Sequence, residues 1–196
     1  MWTIRGRLEV IETLRESNSD DFSRAESAAF HGRKIVEAIA FACLVAIENG
    51  LKNIPKDAKG KWSAEDIFKK LKKKNLEVLP SPSKIRNSTT NEKSTLNVSI
   101  VIDGIPENRL THEELIQIYQ RFHAWLHEIN PYMHQGQDSF YESKSKFLWK
   151  DLERLRMFIE RHFISISGNG FYCVLNDSID NKTKVIPLSR PVNYVE

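Results

Sequence analysis

Cysteine is scarce in this chain, with two in 196 residues. Cys43 lies in an apolar run and Cys173 among β-formers, so neither count nor spacing suits a disulfide framework or a thiolate metal site. Both read as small buried hydrophobes of a reducing compartment. Long apolar runs are also missing. The longest unbroken apolar stretch, Ala38 to Ile47, is about half of the ~20 residues a bilayer span needs, and no membrane partner is expected. The stretch "MWTIRGRLEVIETLRES" alternates charge with apolar residues, so no secretory signal is expected there and a cytoplasmic location is. A dominant charge sign is lacking too. Lys and Arg number 29 against 26 Asp and Glu, a net +3 that is too small to argue for nucleic acid unaided. No glycine-rich phosphate loop, Ser–His–Asp arrangement or pair of catalytic carboxylates stands out. No internal repeat is evident, and no cofactor and no metal are expected.

What is present is ordinary globular composition, 40% hydrophobic and 28% charged. A chain of this size buries roughly 70% of the surface its unfolded form exposes, so it folds without staples. Ile4, Leu8, Ile11 and Leu14 share one face of a helix over residues 4–16. A second helix runs from about Asp21 to Asn49 and ends on an Asn-Gly C-cap signal. Its latter half is apolar on nearly every face, which predicts a central helix surrounded by others. After the loop "KNIPKDAKGK", Ser63 and Asp66 open a short helix whose Ile67, Phe68 and Leu71 form one stripe. That stripe leaves Lys69, Lys70, Lys72, Lys73 and Lys74 on the solvent side, either a solvated face or an RNA-contacting patch.

Residues 80–95 read as a loop rich in Ser, Thr, Asn and Pro, followed by a strand at Val98–Ile102 and a turn at Asp103-Gly104. Thr111 and Glu114 form a capping box for a helix that Pro131 terminates. A long helix over Asp138–His162 buries Phe140, Phe147, Leu148, Leu152, Leu155, Phe158 and Ile159 on a broad face. Trp62, Trp125 and Trp149 read as packing residues. The C-terminal "HFISISGNGFYCVLND" and "KVIPLSR" predict antiparallel strands around a Gly-Asn-Gly turn. The expected fold is mainly α, a four- to five-helix bundle with a small C-terminal antiparallel β-hairpin or sheet. It forms one domain over 1–196, with a helical core at 18–162, a loop and strand insertion at 77–110 and a β element at 163–196.

The stretch "YQRFHAWLHEINPY" concentrates an arginine and two histidines. On a helical wheel Leu115, Ile118, Tyr119, Phe122, Trp125, Leu126 and Ile129 gather on one face. His123 lies at its edge, His127 well away from it, and Arg121 flanks the stripe on the opposite side. Arg121 and His127 are therefore expected to point outward, to solvent or a partner chain. His123 and His127 are four residues apart, so both can approach one ion, with His134 and Asp138 as further donors. A second pair, Arg24 and His31, reads as an intrahelical polar network. Arg33 and Glu37 read as an i, i+4 ion pair that can also reach another helix.

Arg121, five residues, then His127 resembles the Arg…His pattern of the HEPN superfamily (higher eukaryotes and prokaryotes nucleotide-binding domains). The helix "GRKIVEAIAFACLVAIE" and the short "AEDIFKKLKKKN" are similar to the first and connecting helices of such bundles, and the likeness spans residues 20–162. Phe122 departs from the polar residue usual after the Arg. The resemblance implies metal-independent RNA cleavage of the kind found in toxin and antiviral defence systems. Two protomers would pool Arg121 and His127, with His123 and Asn130 in support. A histidine near neutrality moves the protons of such a cleavage and an arginine fork stabilises the phosphorane. The other class of function the residues allow is a non-catalytic helical module that binds a protein partner or assembles as a homodimer.

Overall fold

Thirteen residues from Ile35 to Ile47 contain too few polar side chains to face water, and the architecture follows from that. In the computed structural model, which describes residues 1–17, 22–50, 63–74, 78–127, 137–166 and 169–188, this run lies in α2 (Phe22–Gly50). Helices α1 (Trp2–Glu16), α3 (Ala64–Lys73), α5 (His112–Ala124) and α6 (Gln137–Ile159) all pack on α2. Ile35, Val36, Ile39, Ala40, Cys43 and Ile47 are essentially inaccessible there. Alanines and Gly32 let the neighbours come close. A Cβ on Gly32 would sit 2.6 Å from Leu152 Cδ2 and 2.7 Å from Phe122 Cε2, so any larger residue at this crossing of α2 with α5 and α6 would displace those buried side chains. No helix among the described residues is long and apolar enough to cross a membrane.

The chain is mainly α with a sheet, and the sheet is larger than the C-terminal pattern predicts. Its antiparallel strands run in the order β2-β1-β3-β4-β5. They are β1 (Ser81–Asn87), β2 (Ile100–Gly104), β3 (Arg161–Ile166), β4 (Asn169–Val174) and β5 (Lys184–Leu188). The C-terminal strands thus continue into the insertion, β1 pairing with β3 through Ser81↔Phe163 and Pro82↔His162. Ile102, Tyr172 and Val174 form a second small core with Phe163 and Leu188 against it.

Residues 80–95, expected as a loop, are instead β1 and most of α4 (Thr90–Leu96). The strand "SPSKIRN" has one large apolar residue and a proline, so no alternation announces it. It is held by its neighbours and by Arg86, which donates to Asp103 Oδ2 at 2.7 Å and to Glu92 Oε2 at 2.7 Å. Glu92 also closes a capping box with Thr89 at the start of α4. With Arg86, the Thr89 N–H and the Thr89 hydroxyl donating to it, the Glu92 carboxyl is held down at about 2.

Three other expectations meet a different outcome. Helix α5 ends at Ala124, short of Pro131, and residues 125–127 form a turn. Ser63 occupies the N-cap of α3 without a side-chain hydrogen bond. Arg24 and His31 reach beyond α2: Arg24 donates to the Ser17 carbonyl at 2.8 Å, and His31 Nδ1 meets Arg7 at 3.3 Å, both back toward α1. Cys43 and Cys173 are buried free thiols.

One buried base sits at the seam between helices and sheet. His162, first pair of the β1–β3 ladder, is 5% exposed. Its Nδ1–H donates to the Ile159 carbonyl at 3.0 Å. Burial pushes its pKa down to about 4, against the smaller upward pull of that carbonyl.

Candidate functional site

Helix α5 starts on the capping box expected for it: Thr111 accepts from the Glu114 N–H, and Glu114 accepts from the Thr111 N–H at 2.9 Å. Arg154 of α6 binds the same carboxylate at 2.6 Å. These bonds, the Thr111 N–H first, hold the Glu114 carboxyl below its ordinary range. The buried face of α5 is Leu115, Ile118, Tyr119 and Phe122, with Trp125 following it, all 5% exposed or less. That fixed face determines where Arg121 and His127 go.

They go to different sides. Arg121 reaches α6, where its Nε–H and one Nη2–H donate to the two carboxylate oxygens of Asp151 at 2.5 and 2.9 Å. The Asp151 side chain is 7% exposed and that of Arg121 43%, so a nearly buried carboxylate fixes a half-open fork. A guanidinium has five N–H donors, and the fork leaves three for another acceptor. The expected outward direction of Arg121 is thus met only in part: its far edge faces solvent and its near edge is held. Asp151 is a partner that sequence spacing does not reveal, because it lies on another helix.

His127 is exposed and lies against His123. Their Nε2 atoms are 2.8 Å apart and the rings meet nearly edge to face, at 80°. His123 stacks parallel to Tyr119, centroids 6.3 Å apart. Tyr119 in turn meets α2, accepting from Arg33 Nη2 at 3.1 Å, while Arg33 Nε pairs with Glu37 at 3.2 Å. Burial, then Arg33, then His127 hold His123 below the ordinary imidazole value, with Glu65 of α3 opposing. Two imidazole nitrogens at 2.8 Å cannot both carry protons without repulsion: one donates and the other accepts. The arrangement is a hydrogen-bonded imidazole pair at the C-terminal end of α5.

Arg121 and His127 share no contact among the described residues. Asn130, the other supporting candidate, lies outside them, as do His134, Trp62 and the Asn130-Pro131 break. Within the described residues, no group of three or more His, Cys, Asp or Glu side chains is placed to hold a metal ion.

Between α5 and α6 opens a cleft of about 660 Å³. Arg121 and Asp151 lie in its wall, with Phe140, Lys144, Phe147, Lys150 and Arg154 from α6 and Gln117 from α5. Phe147, expected in a buried stripe, is 59% exposed at this opening. A second, shallower depression between α3 and α5 is lined by Lys69, Lys72, Lys73, Glu113, Ile116 and Gln117. The lysine run does face outward: Lys69, Lys72, Lys73 and Lys74 are exposed and Lys70 half-buried. Lys69 pairs with Glu65 at 2.5 Å, and Lys72 with Glu113.

No family model matches this chain, and neither a curated protein nor a solved structure matches it significantly.

Proposed function

We propose that the protein is an HEPN-like, metal-independent ribonuclease, acting as a homodimer in a toxin or antiviral defence setting. The observation that carries this reading is the His123–His127 contact at 2.8 Å on the exposed rim of α5. One imidazole removes the proton of a ribose 2′-hydroxyl, whose oxygen attacks the adjacent phosphorus. The other donates its proton to the departing 5′-oxygen, leaving a 2′,3′-cyclic phosphate. Arg121 supplies three remaining N–H donors for the phosphorane oxygens, its orientation fixed by Asp151. Because Arg121 is turned toward α6 while His127, in the turn after α5, lies against His123, the reading takes Arg121 from one protomer and His127 from its partner.

The test is incubation of purified protein with total RNA and tRNA in chelator, beside His127→Ala and Arg121→Ala proteins. Cleavage by the parent alone, with cyclic-phosphate ends, is the expected result. Equal cleavage by all three proteins, or none by the folded parent, rules the reading out.

A second reading is favoured by one specific observation. Both members of the pair have partners within the fold, Arg121 on Asp151 and His127 on His123. In that reading the protein is a non-catalytic helical assembly module, and both alanine variants keep whatever binding the parent has.

A further inference from the structure

The two cationic depressions flanking α5 adjoin, because Gln117 lines both the α5–α6 cleft and the α3–α5 groove. We infer that they form one track for a single-stranded nucleic acid, with Phe147 in the cleft as the platform for one unstacked base. The identity of the strand as RNA rests on the ribonuclease reading. The track itself does not.

Charge is the first argument. The cleft carries Arg121, Lys144, Lys150 and Arg154, of which Arg121 is committed to Asp151 and Arg154 to Glu114, so Lys144 and Lys150 supply its uncompensated charge. Lys144 and Lys150 have no carboxylate partner among the described residues, and neither has Lys73 across the ridge. The remaining lysines of the groove pair with Glu65 and Glu113 at side chains more than half exposed, 61% for Lys69 and 57% for Lys72. Exposed pairs of this kind are weak and exchange readily for phosphate.

Shape is the second argument. Phe140, Lys144, Phe147 and Lys150 follow at three- and four-residue spacing along one side of α6, so two rings and two ammonium groups alternate on that wall. Phe147 is 59% exposed, with Lys144 and Lys150 about one helical turn to either side of it. A base stacked on it is held on its apolar face while the neighbouring phosphates meet ammonium groups, the combination that single-strand binders use. The cleft's 660 Å³ admits one nucleotide, and the step over Gln117 to the lysines of α3 gives the chain somewhere to continue. A free nucleotide would use only the first half. A duplex keeps its bases stacked and cannot reach Phe147.

The experiment uses the His127→Ala protein, silent under the ribonuclease reading, and fluorescence anisotropy with a labelled single-stranded RNA about twelve nucleotides long. Duplex RNA and a free nucleoside monophosphate are the comparison arms. The strand is expected to bind best, with a log–log salt slope of about −2 from the three unpartnered lysines. Phe147→Ala is expected to weaken strand binding about tenfold or more at unchanged slope. Lys73→Ala or Lys144→Ala is expected to flatten the slope by about 0.7 each. Three results overturn the track: duplex binding as tight as the strand, monophosphate binding as tight as the strand, or indifference to Phe147→Ala. A fall in molecular mass for Phe147→Ala with unchanged strand binding also overturns it and assigns the cleft to a second copy of the chain. If the strand binds through Phe147 but the parent cleaves nothing, the ribonuclease reading fails and the track stands. If the parent cleaves while Phe147 and the lysines are irrelevant, the track fails alone.

Discussion

Acidification should destabilise this fold through one histidine. His162 is buried as a neutral base whose pKa is pushed down to about 4, against about 6.5 when the chain unfolds and the ring meets water. Above pH 6.5 neither state binds the proton and the histidine is silent. Between pH 6.5 and 4 the unfolded state takes it up and the native state does not, so stability falls as pH falls. Integrated from pH 7.5 to 5.0 the loss is about 2 kcal/mol, approaching ~3.4 kcal/mol below the native pKa. His31 and His123, both held below the ordinary value, contribute in the same direction. The carboxylates Glu92 and Glu153, held at about 2, lose their contribution chiefly below their ordinary range near 4.5 and barely enter this window. The assay is urea unfolding at pH 7.5 and 5.0 for the parent and His162→Asn, whose amide keeps a donor for the Ile159 carbonyl and cannot titrate. The variant should lose about 2 kcal/mol less than the parent over the interval, whatever its absolute stability. Equal losses in both proteins would refute the assignment, and His162→Gln repeats the comparison should the first variant fold poorly.

Three further outcomes are expected. Gly32→Ala, which favours an exposed helix by up to ~1 kcal/mol, should instead cost about 1–3 kcal/mol because the methyl meets Leu152 and Phe122, and denaturant melts read the sign. Thr111→Ala removes the cap of α5 and should cost about 1 kcal/mol, seen as a melting temperature roughly 2–4 °C lower. Asp151→Asn should cost about 1 kcal/mol, since Arg121 stays open to water. It should also lower any RNA cleavage more than Lys150→Ala does, because only the former frees the guanidinium from its orientation.

The helices were readable wherever a burial stripe and a cap coincide. Ile35 to Ile47 declares a central helix, and Thr111 with Glu114 declares where α5 starts. Its end was not readable, because Pro131 limits a helix without obliging it to extend that far. β1 was illegible since Ser81–Asn87 carries only Ile85 as a large apolar residue, and its stability comes from strands and an Arg86 fork that are distant in sequence. At the candidate site, the i, i+4 spacing of His123 and His127 placed the two rings near each other, but was read as access to one ion and not as the direct contact they make. Nothing local announced Asp151, which meets Arg121 from another helix and determines its direction. Phe147 was assigned to a buried face by periodicity, which measures angle around a helix and not whether a neighbour covers that angle.

The strand order β2-β1-β3-β4-β5 also imposes a sequence of events on the growing chain. The β1–β2 pair, with α4 between its strands, is synthesised well before its neighbour β3, with α5 and α6 still to be made. Its inner edge must wait unpaired through that interval, closing a long loop when β3 arrives. The Ser81↔Phe163 and Pro82↔His162 pairs join residues about eighty positions apart, the kind of contact that slows folding. A chain interrupted before β3 would carry an open strand edge, the form of this protein most exposed to aggregation and to proteases.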